Sequence, residues 1–575
     1  MFSVFDYSLF SLFLLLSVGV GVYHAIAAKR RKFHHSATEE YLIGGRNLPI
    51  LPVCLSLLTT FVSGIALLGV PAEIYQRGMG MGASLILGNG AFIVVGVFFI
   101  PMFYKLKFVN IYEYFEYRFD SLWLKRIGTF MFIFNCLVYM AIVIYAPAIA
   151  LSGVADLPLE PFILVVGLCG TLYTTIGGIK AVIWTDTLQA VFLIFGLSML
   201  VVKGTIDAGG MANVIHRAED TGRLTDSILI YDLNPLQYNN LFIMAVGGSM
   251  HALGMFGLNQ MSLQRFCSLP SVRDAQKVMV ITIPAHLLVG CMSMFLGILT
   301  FAYFHGCDPI ASGEAKSPDQ LAILLAARVL GSIPGMPGLF LSTLFSATLS
   351  TVSSGLNSIA AVVFEDWIKP NLRKEHSKSP ERLTKLIVLL MGVISTCLAF
   401  CCKFLGGIFY VVIATLGATS GPITGVFLLG LFFPKANKFG AFVGFFVSSI
   451  TMIAVTVSNN IEKPYRNYVL PMIDEDSGWG SCENVTDYSI NVIRDFYKGK
   501  GREFHYGDLS ASAPSRLSSY AYSPTGTFIT LIIGLLVSML WKQKLSPQKQ
   551  HFSYACTLKG LDIPLEKVAL QEPAA

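Results

Sequence analysis

The chain has 575 residues, of which 54% are hydrophobic and only 13% charged, with a net charge of +6. Soluble proteins carry about 25% charged residues, and a mean hydropathy of +0.64 leaves too little polar surface for a folded globule of this length in water. A string of soluble domains, a disordered chain, a secreted scaffold stapled by its 11 cysteines and a nucleic-acid binder are all excluded, which leaves an all-α polytopic membrane protein.

A bilayer core needs about 20 mostly apolar residues per helix. On that criterion about thirteen spans are predicted, near 7–28, 50–75, 81–104, 123–150, 159–177, 181–203, 238–263, 278–304, 338–365, 386–405, 408–433, 437–457 and 524–541. No basic stretch precedes the first span, and Lys29, Arg30, Arg31 and Lys32 follow it, so a cleaved signal peptide is not expected. With the N-terminus outside, about 27 of the 41 Lys and Arg lie in or beside the cytoplasmic segments 29–49, 105–122, 178–180, 264–277, 366–385, 434–436 and the tail. The positive-inside rule therefore predicts an extracellular N-terminus and a cytoplasmic C-terminus.

The chain divides into a membrane core over 1–457, an external loop over 458–523, a last span over 524–541 and a cytoplasmic tail over 542–575. The external loop carries a glycosylation sequon at Asn484. Cys307 and Cys482 would both be external, and whether they pair is left open.

Four spans are not ordinary lipid-facing helices. The second holds Thr59, Thr60, Ser63 and Gly64 at its middle, followed by Gly69 and Pro71. Such residues suit close helix packing, or a helix that unwinds beside a cavity or ion. The sixth span carries Asp186 about six residues from its start, with Gln189 one turn away. An acid inside a membrane implies function by default, although Asp186 could instead lie at the interface with Lys180.

The seventh span repeats the theme of the second, with Gly247, Gly248, Gly254 and Gly257 before Asn259 and Gln260. Two interrupted spans five helices apart are the mark of an inverted-repeat bundle. In the ninth span Ala347, Ser350 and Thr351 share one helix face. That face offers hard oxygen ligands to a monovalent cation, or else a small-residue helix contact with each hydroxyl bonded to its own helix.

These residues resemble the sodium:solute symporter family over nearly the whole chain. EEYLIGGRNLP (39–49), GGIKAVIWTDTLQAVF (177–192), GLNQMSLQRF (257–266) and LFSATLSTVSSGLNS (344–358) are similar, in order, to four of its signatures. VPAEIYQRG (70–78), IVIYAPAIAL (142–151) and PGLFLSTLFSATLS (337–350) look closest to the branch of monocarboxylate, multivitamin and iodide transporters.

The resemblance implies a LeuT-type core of five plus five helices, roughly 50–203 and 238–433, working by sodium-coupled alternating access in the plasma membrane. It implies a first Na⁺ site made by the side chains of Ser350 and Thr351 and the carbonyls of Thr59, Val62 and Ala347. A second Na⁺ site, or an ion exit path, would use Thr60, Ser63, Asp186, Gln189 and Gln260. The substrate pocket would be walled by Phe61, Ile65, Ala66, Tyr139, Met255 and Phe256.

These mostly apolar walls suit a small organic anion such as a monocarboxylate, biotin or pantothenate. Ala66 departs from the polar amide of the iodide transporter. An inorganic anion transporter and a transporter-like solute sensor or sodium leak remain as alternatives. A channel filter of repeated charge or carbonyl rings is not visible. Nor is an enzymatic constellation expected: His251 and His286, the two histidines well inside spans, read as ordinary bundle histidines.

Overall fold

The computed structural model describes residues 3–30, 37–106, 108–155, 158–228, 230–371, 380–404, 408–470 and 497–542. Its described elements are helices, as a bilayer demands of a chain that must satisfy its backbone groups within each segment. In chain order the membrane helices begin with α1 (Val4–Arg30), α2 (Ile50–Phe61), α3 (Gly64–Arg77), α4 (Met79–Leu106) and α5 (Leu122–Ala155). Next come α6 (Leu159–Asp207), α7 (Leu241–Gly257), α8 (Gln260–Cys267), α9 (Val272–Tyr303) and α10 (Met336–Ile368). The last are α11 (Pro380–Cys401), α12 (Ile408–Phe432), α13 (Lys438–Glu462) and α14 (Tyr522–Leu540).

Two pairs are single spans with a break. α2 and α3 meet at 53°, and α7 and α8 at 50°. The 49-residue α6 would be about 73 Å long if straight, more than twice a bilayer core of about 30 Å. It turns back at Gly178, whose φ of 60° and ψ of −162° are not helical. Packing on α1 proves the reversal. Phe13 and Gly21 lie about two turns apart on α1, yet Phe13 packs edge-on against Phe192 and Gly21 abuts Tyr173. A straight helix would hold Tyr173 and Phe192 about 29 Å apart.

Counting α6 as two limbs and each broken pair as one span gives thirteen crossings among the described residues. The broken spans open two halves of five: α2/α3 to the second limb of α6, then α7/α8 to α12. This is the LeuT-type architecture that the resemblance implied, with α1 added before it and α13 and α14 after.

Local signals explain where helices restart. Asn259 accepts from Met261 N at 2.9 Å and so begins α8 at the second break. Ser271 caps α9 through Asp274 N at 3.2 Å, and Asn437 caps α13 through Gly440 N at 2.9 Å.

Contacts between loops gather at two ends of the bundle. At the basic end, Leu48 N donates to Ser268 O at 3.0 Å, and buried Arg118 donates to the carbonyls of Gly430 and Phe433, each at 2.9 Å. Lys180 pairs with Glu40 there. At the opposite end, Tyr75 and Tyr497 both donate to Asp308, at 2.8 and 2.7 Å, and Leu470 N donates to Gln76 O at 2.7 Å. The loop after α13 is thus fastened to the C-terminal end of α3. Cys307 is disulfide-bonded; Cys482, Asn484 and the tail beyond residue 542 lie outside the described residues.

A side chain at Gly178 would place its Cβ 2.6 Å from Tyr41 Cδ2 and 2.8 Å from Tyr41 O, in a conformation open essentially to glycine alone. Gly178→Ala is expected to destabilise the protein by at least about 1–3 kcal/mol, read as a lowered Tm in detergent. Gly19→Ala, whose Cβ meets nothing within 4 Å, leaves Tm unchanged or slightly raised.

Candidate functional site: an ion cradle beside an aromatic cavity

The break between α2 and α3 falls at Val62 and Ser63, where the backbone leaves the helical region. Val62 N still reaches Leu58 O at 3.0 Å, and Ser63 O accepts from Ala66 N and Leu67 N. Between these, the carbonyls of Thr59, Thr60, Phe61 and Val62 take no main-chain hydrogen bond among the described residues. Helix α10 supplies substitutes. Thr351 Oγ1 donates to Thr60 O at 3.0 Å and to Ala347 O at 3.1 Å, and Ser350 Oγ donates to Thr59 Oγ1 at 2.9 Å. The close approach rests on Gly64, where a Cβ would lie 2.6 Å from Thr348 Oγ1. The five residues expected to form the first ion site therefore lie along the contact between the break and one face of α10. The direct tie to Thr351 is the Thr60 carbonyl, which sequence reasoning had not picked.

Asp186 is fully buried, and its partner is not Lys180 but Arg265, near the end of α8. Its Oδ2 accepts from Ser56 Oγ at 2.5 Å and Arg265 Nη2 at 3.1 Å. Arg265 also donates through Nε to Ser56 Oγ at 2.9 Å, through Nη1 to Met261 O at 3.0 Å, and through Nη2 to Ser354 Oγ. Ser354 Oγ in turn meets Thr60 Oγ1 at 3.0 Å. One polar network thus joins α2, the second limb of α6, α8 and α10.

The sequence analysis places Arg265 in the cytoplasmic segment 264–277. That expectation is corrected: Arg265 is 1% exposed. The available signal was the spacing of Arg265 from the break, little more than one turn past Asn259 and Gln260.

The remaining expected residues of the second site separate into two groups. Asp186 Oδ1 and both polar ends of Gln189 are buried without a hydrogen-bond partner among the described residues, and Ser350 stands close to the same carboxylate. These orphaned oxygens fit a cation. Gln260 is engaged elsewhere: its Oε1 accepts from Ile111 N at 2.8 Å and its Nε2 donates to Val109 O at 2.6 Å. Its side chain anchors the loop after α4. Ser63 faces the cavity described next.

That cavity, of about 240 Å³, is bordered by all six expected wall residues, Phe61, Ile65, Ala66, Tyr139, Met255 and Phe256. Phe256 packs on Phe61 and Phe92 with ring centroids 4.5 and 4.3 Å apart. A smaller cavity of about 100 Å³ extends toward Tyr112 and Met261. The two share Phe61, Tyr139, His251, Met255 and Leu416 as a common septum.

Around Met255 the helix widens, with Leu258 N bonded to Leu253 O at 3.2 Å. The Met255 carbonyl accepts from Ser262 Oγ at 2.8 Å. This wider turn shifts helix register and helps set the faces that residues 251–256 present. Two features escaped sequence reasoning: His251 borders both cavities rather than sitting in bundle core, and Ser519, Tyr520 and Ser523, at the start of α14, close the larger one.

Paired broken helices, a hydroxyl face against one break and a mid-bundle cavity define a secondary transporter. The model of the Sodium:solute symporter family matches residues 41–448. Over 553 residues the chain is 32% identical to sodium-coupled monocarboxylate transporter 1 of Homo sapiens, covering 95% of this chain and 89% of that one. It is 31% identical over 545 residues to the sodium-dependent multivitamin transporter of Oryctolagus cuniculus, covering 94% and 82%. A solved Na⁺-coupled sialic acid symporter in a substrate-bound outward-open state matches the fold with a TM-score of 0.73 at 22% identity, covering 95% of this chain and all of that one. The chain belongs to the sodium:solute symporter family. It is a sodium-coupled solute symporter of the membrane, not an enzyme, and Na⁺ is its co-transported ion.

The Asp186–Arg265 pair yields a double-mutant test. Removing either partner alone strands a buried charge, a cost of about 3–5 kcal/mol. Asp186→Asn and Arg265→Gln are each expected to lower Tm and surface abundance sharply. The double variant should recover much of the loss in the same thermal-shift assay.

Proposed function

We propose that the chain imports a small organic anion, a monocarboxylate or a vitamin of the biotin or pantothenate kind, together with Na⁺ across the plasma membrane. In this reading the N-terminus is extracellular and the C-terminus cytoplasmic. The observation that carries the substrate class is the larger cavity: a few polar groups set in an aromatic wall beside the broken helix suit an anion with an apolar body. The names of the two relatives, a monocarboxylate and a multivitamin transporter, support the same class. An inorganic anion finds less support, because Ala66 puts a methyl group into that wall.

Na⁺ would be held by Ser350 Oγ and Thr351 Oγ1 with the carbonyls of Thr59, Val62 and Ala347. Asp186 Oδ1 and Gln189, with Thr60 and Ser63 nearby, would make a second position or a step on the exit path. Neutral oxygens bind Na⁺ loosely enough to release it. Binding from the outside ties α10 to the break and favours the outward-open arrangement, in which the cavity accepts substrate. Rocking of the bundle then opens the other side, where low Na⁺ empties the cradle. Coupling requires that Na⁺ favour one state over the other. For each Na⁺ the electrical drive is about 2.3 kcal/mol per 100 mV.

Uptake of labelled short-chain monocarboxylates and biotin should fall to background when choline replaces Na⁺; undiminished uptake would remove symport of these anions. In the Ser350→Ala, Thr351→Ala double variant the half-saturating Na⁺ concentration is expected to rise about tenfold or more, equivalent to about 1.4 kcal/mol. An unchanged Na⁺ dependence would rule the cradle out.

A further inference from the structure

Two imidazoles on the cavity wall are not used by the ion chemistry. His286 of α9 stands between Phe92 and Phe256, with ring centroids 5.5 and 5.6 Å away. Its Nδ1 lies 3.3 Å from Asn89 Oδ1. The Asn89 amide cannot turn round freely, because its Nδ2 donates to Leu85 O at 2.5 Å. An amide oxygen only accepts, so the imidazole proton belongs on Nδ1. Among the described residues no Asp or Glu borders this cavity to balance an imidazolium. A neutral ring protonated at Nδ1 presents Nε2 as a lone pair, and Nε2 makes no hydrogen bond among the described residues.

His251 complements it. Its ring has no hydrogen-bond partner among the described residues, and it borders both cavities. A neutral histidine with both nitrogens unused can donate from one of them to a carboxylate.

We propose that His251 and His286 together set substrate specificity: His251 donates to the carboxylate, while His286 Nε2 accepts from a hydroxyl or N–H on the substrate's body. This rests on the organic-anion reading and narrows it to carboxylates that carry a hydrogen-bond donor, the smallest being 2-hydroxy acids. An unsubstituted acid leaves the Nε2 lone pair without a partner, and a 2-oxo acid sets a second acceptor against it. Losing one such hydrogen bond costs about tenfold in affinity.

The test compares Na⁺-dependent uptake of propanoate, 2-oxopropanoate and 2-hydroxypropanoate by cells expressing the full chain, normalised to surface abundance. In the wild type, KM for the hydroxy acid is expected to be about tenfold below those of the other two. His286→Phe keeps an aromatic ring and removes the acceptor. It should bring the three KM values together and leave the half-saturating Na⁺ concentration unchanged.

Equal KM values in the wild type, or a hydroxyl preference that survives in His286→Phe, would overturn the inference while leaving the organic-anion reading intact. Absence of Na⁺-dependent uptake of all three, and of N–H-bearing biotin, would defeat that reading and this inference with it. A fall of all three KM values in parallel as external pH is lowered would mean that an imidazolium rather than a neutral imidazole holds the carboxylate, which also contradicts the proposal. The wild-type comparison decides whether or not the variant reaches the surface.

Discussion

Four carbonyls from Thr59 to Val62 lose their helical partners where α2 stops and α3 begins, and a bilayer offers none in exchange. An unsatisfied backbone group at that depth costs several kcal/mol. The hydroxyls of α10 relieve part of this cost, through the bond from Thr351 to Thr60 O. The rest of the fold serves that juxtaposition. Gly64 allows the break to approach α10, and after the reversal at Gly178 the second limb of α6 brings Asp186 to Ser56 of α2. A site with spare carbonyls and a hydroxyl face is one that a dehydrated Na⁺ can complete.

The Asp186–Arg265 pair gives the arrangement its electrostatic balance. Buried ion pairs contribute little net stability, but removing one partner leaves a buried charge uncompensated. Here the pair ties α2, α6, α8 and α10 together through Ser56 and Ser354. Only one carboxylate oxygen is spent on the pair. The other is buried without a hydrogen bond among the described residues, so negative charge remains available beside the cradle. Since α2 and α8 are halves of the two broken helices, the network also couples the breaks. Movement of one half of the bundle against the other must either carry the network along or open it.

Much of this was legible in the chain. Hydropathy located the spans; Thr, Ser and Gly at mid-membrane marked the first break, and Gly followed by Asn259 and Gln260 marked the second. The spacing of Ala347, Ser350 and Thr351 put them on the helix face that meets the first break. The resemblance to a known family supplied the wall residues that border the cavity. The failures have physical causes. Arg265 hid because its charge places it outside a hydropathy window, although its partner lies 79 residues earlier in the chain. The resemblance put Gln260 in the second site, yet both ends of its amide are taken by the backbone of Val109 and Ile111. His251 was read as a bundle histidine because an apolar span around it does not record a cavity formed with residues of other helices. Contacts from Ser519, Tyr520 and Ser523 depend on a chain return over hundreds of residues, which no local pattern records.

The central claim is that one sodium cradle lies at the contact between the α2/α3 break and α10. Equilibrium binding of ²²Na⁺ to the purified protein in detergent, without substrate, tests it most directly. Wild type should bind the ion saturably, and the Ser350→Ala, Thr351→Ala variant should bind it about tenfold or more weakly while keeping a cooperative thermal transition. Full-affinity ²²Na⁺ binding by a folded variant would contradict the account.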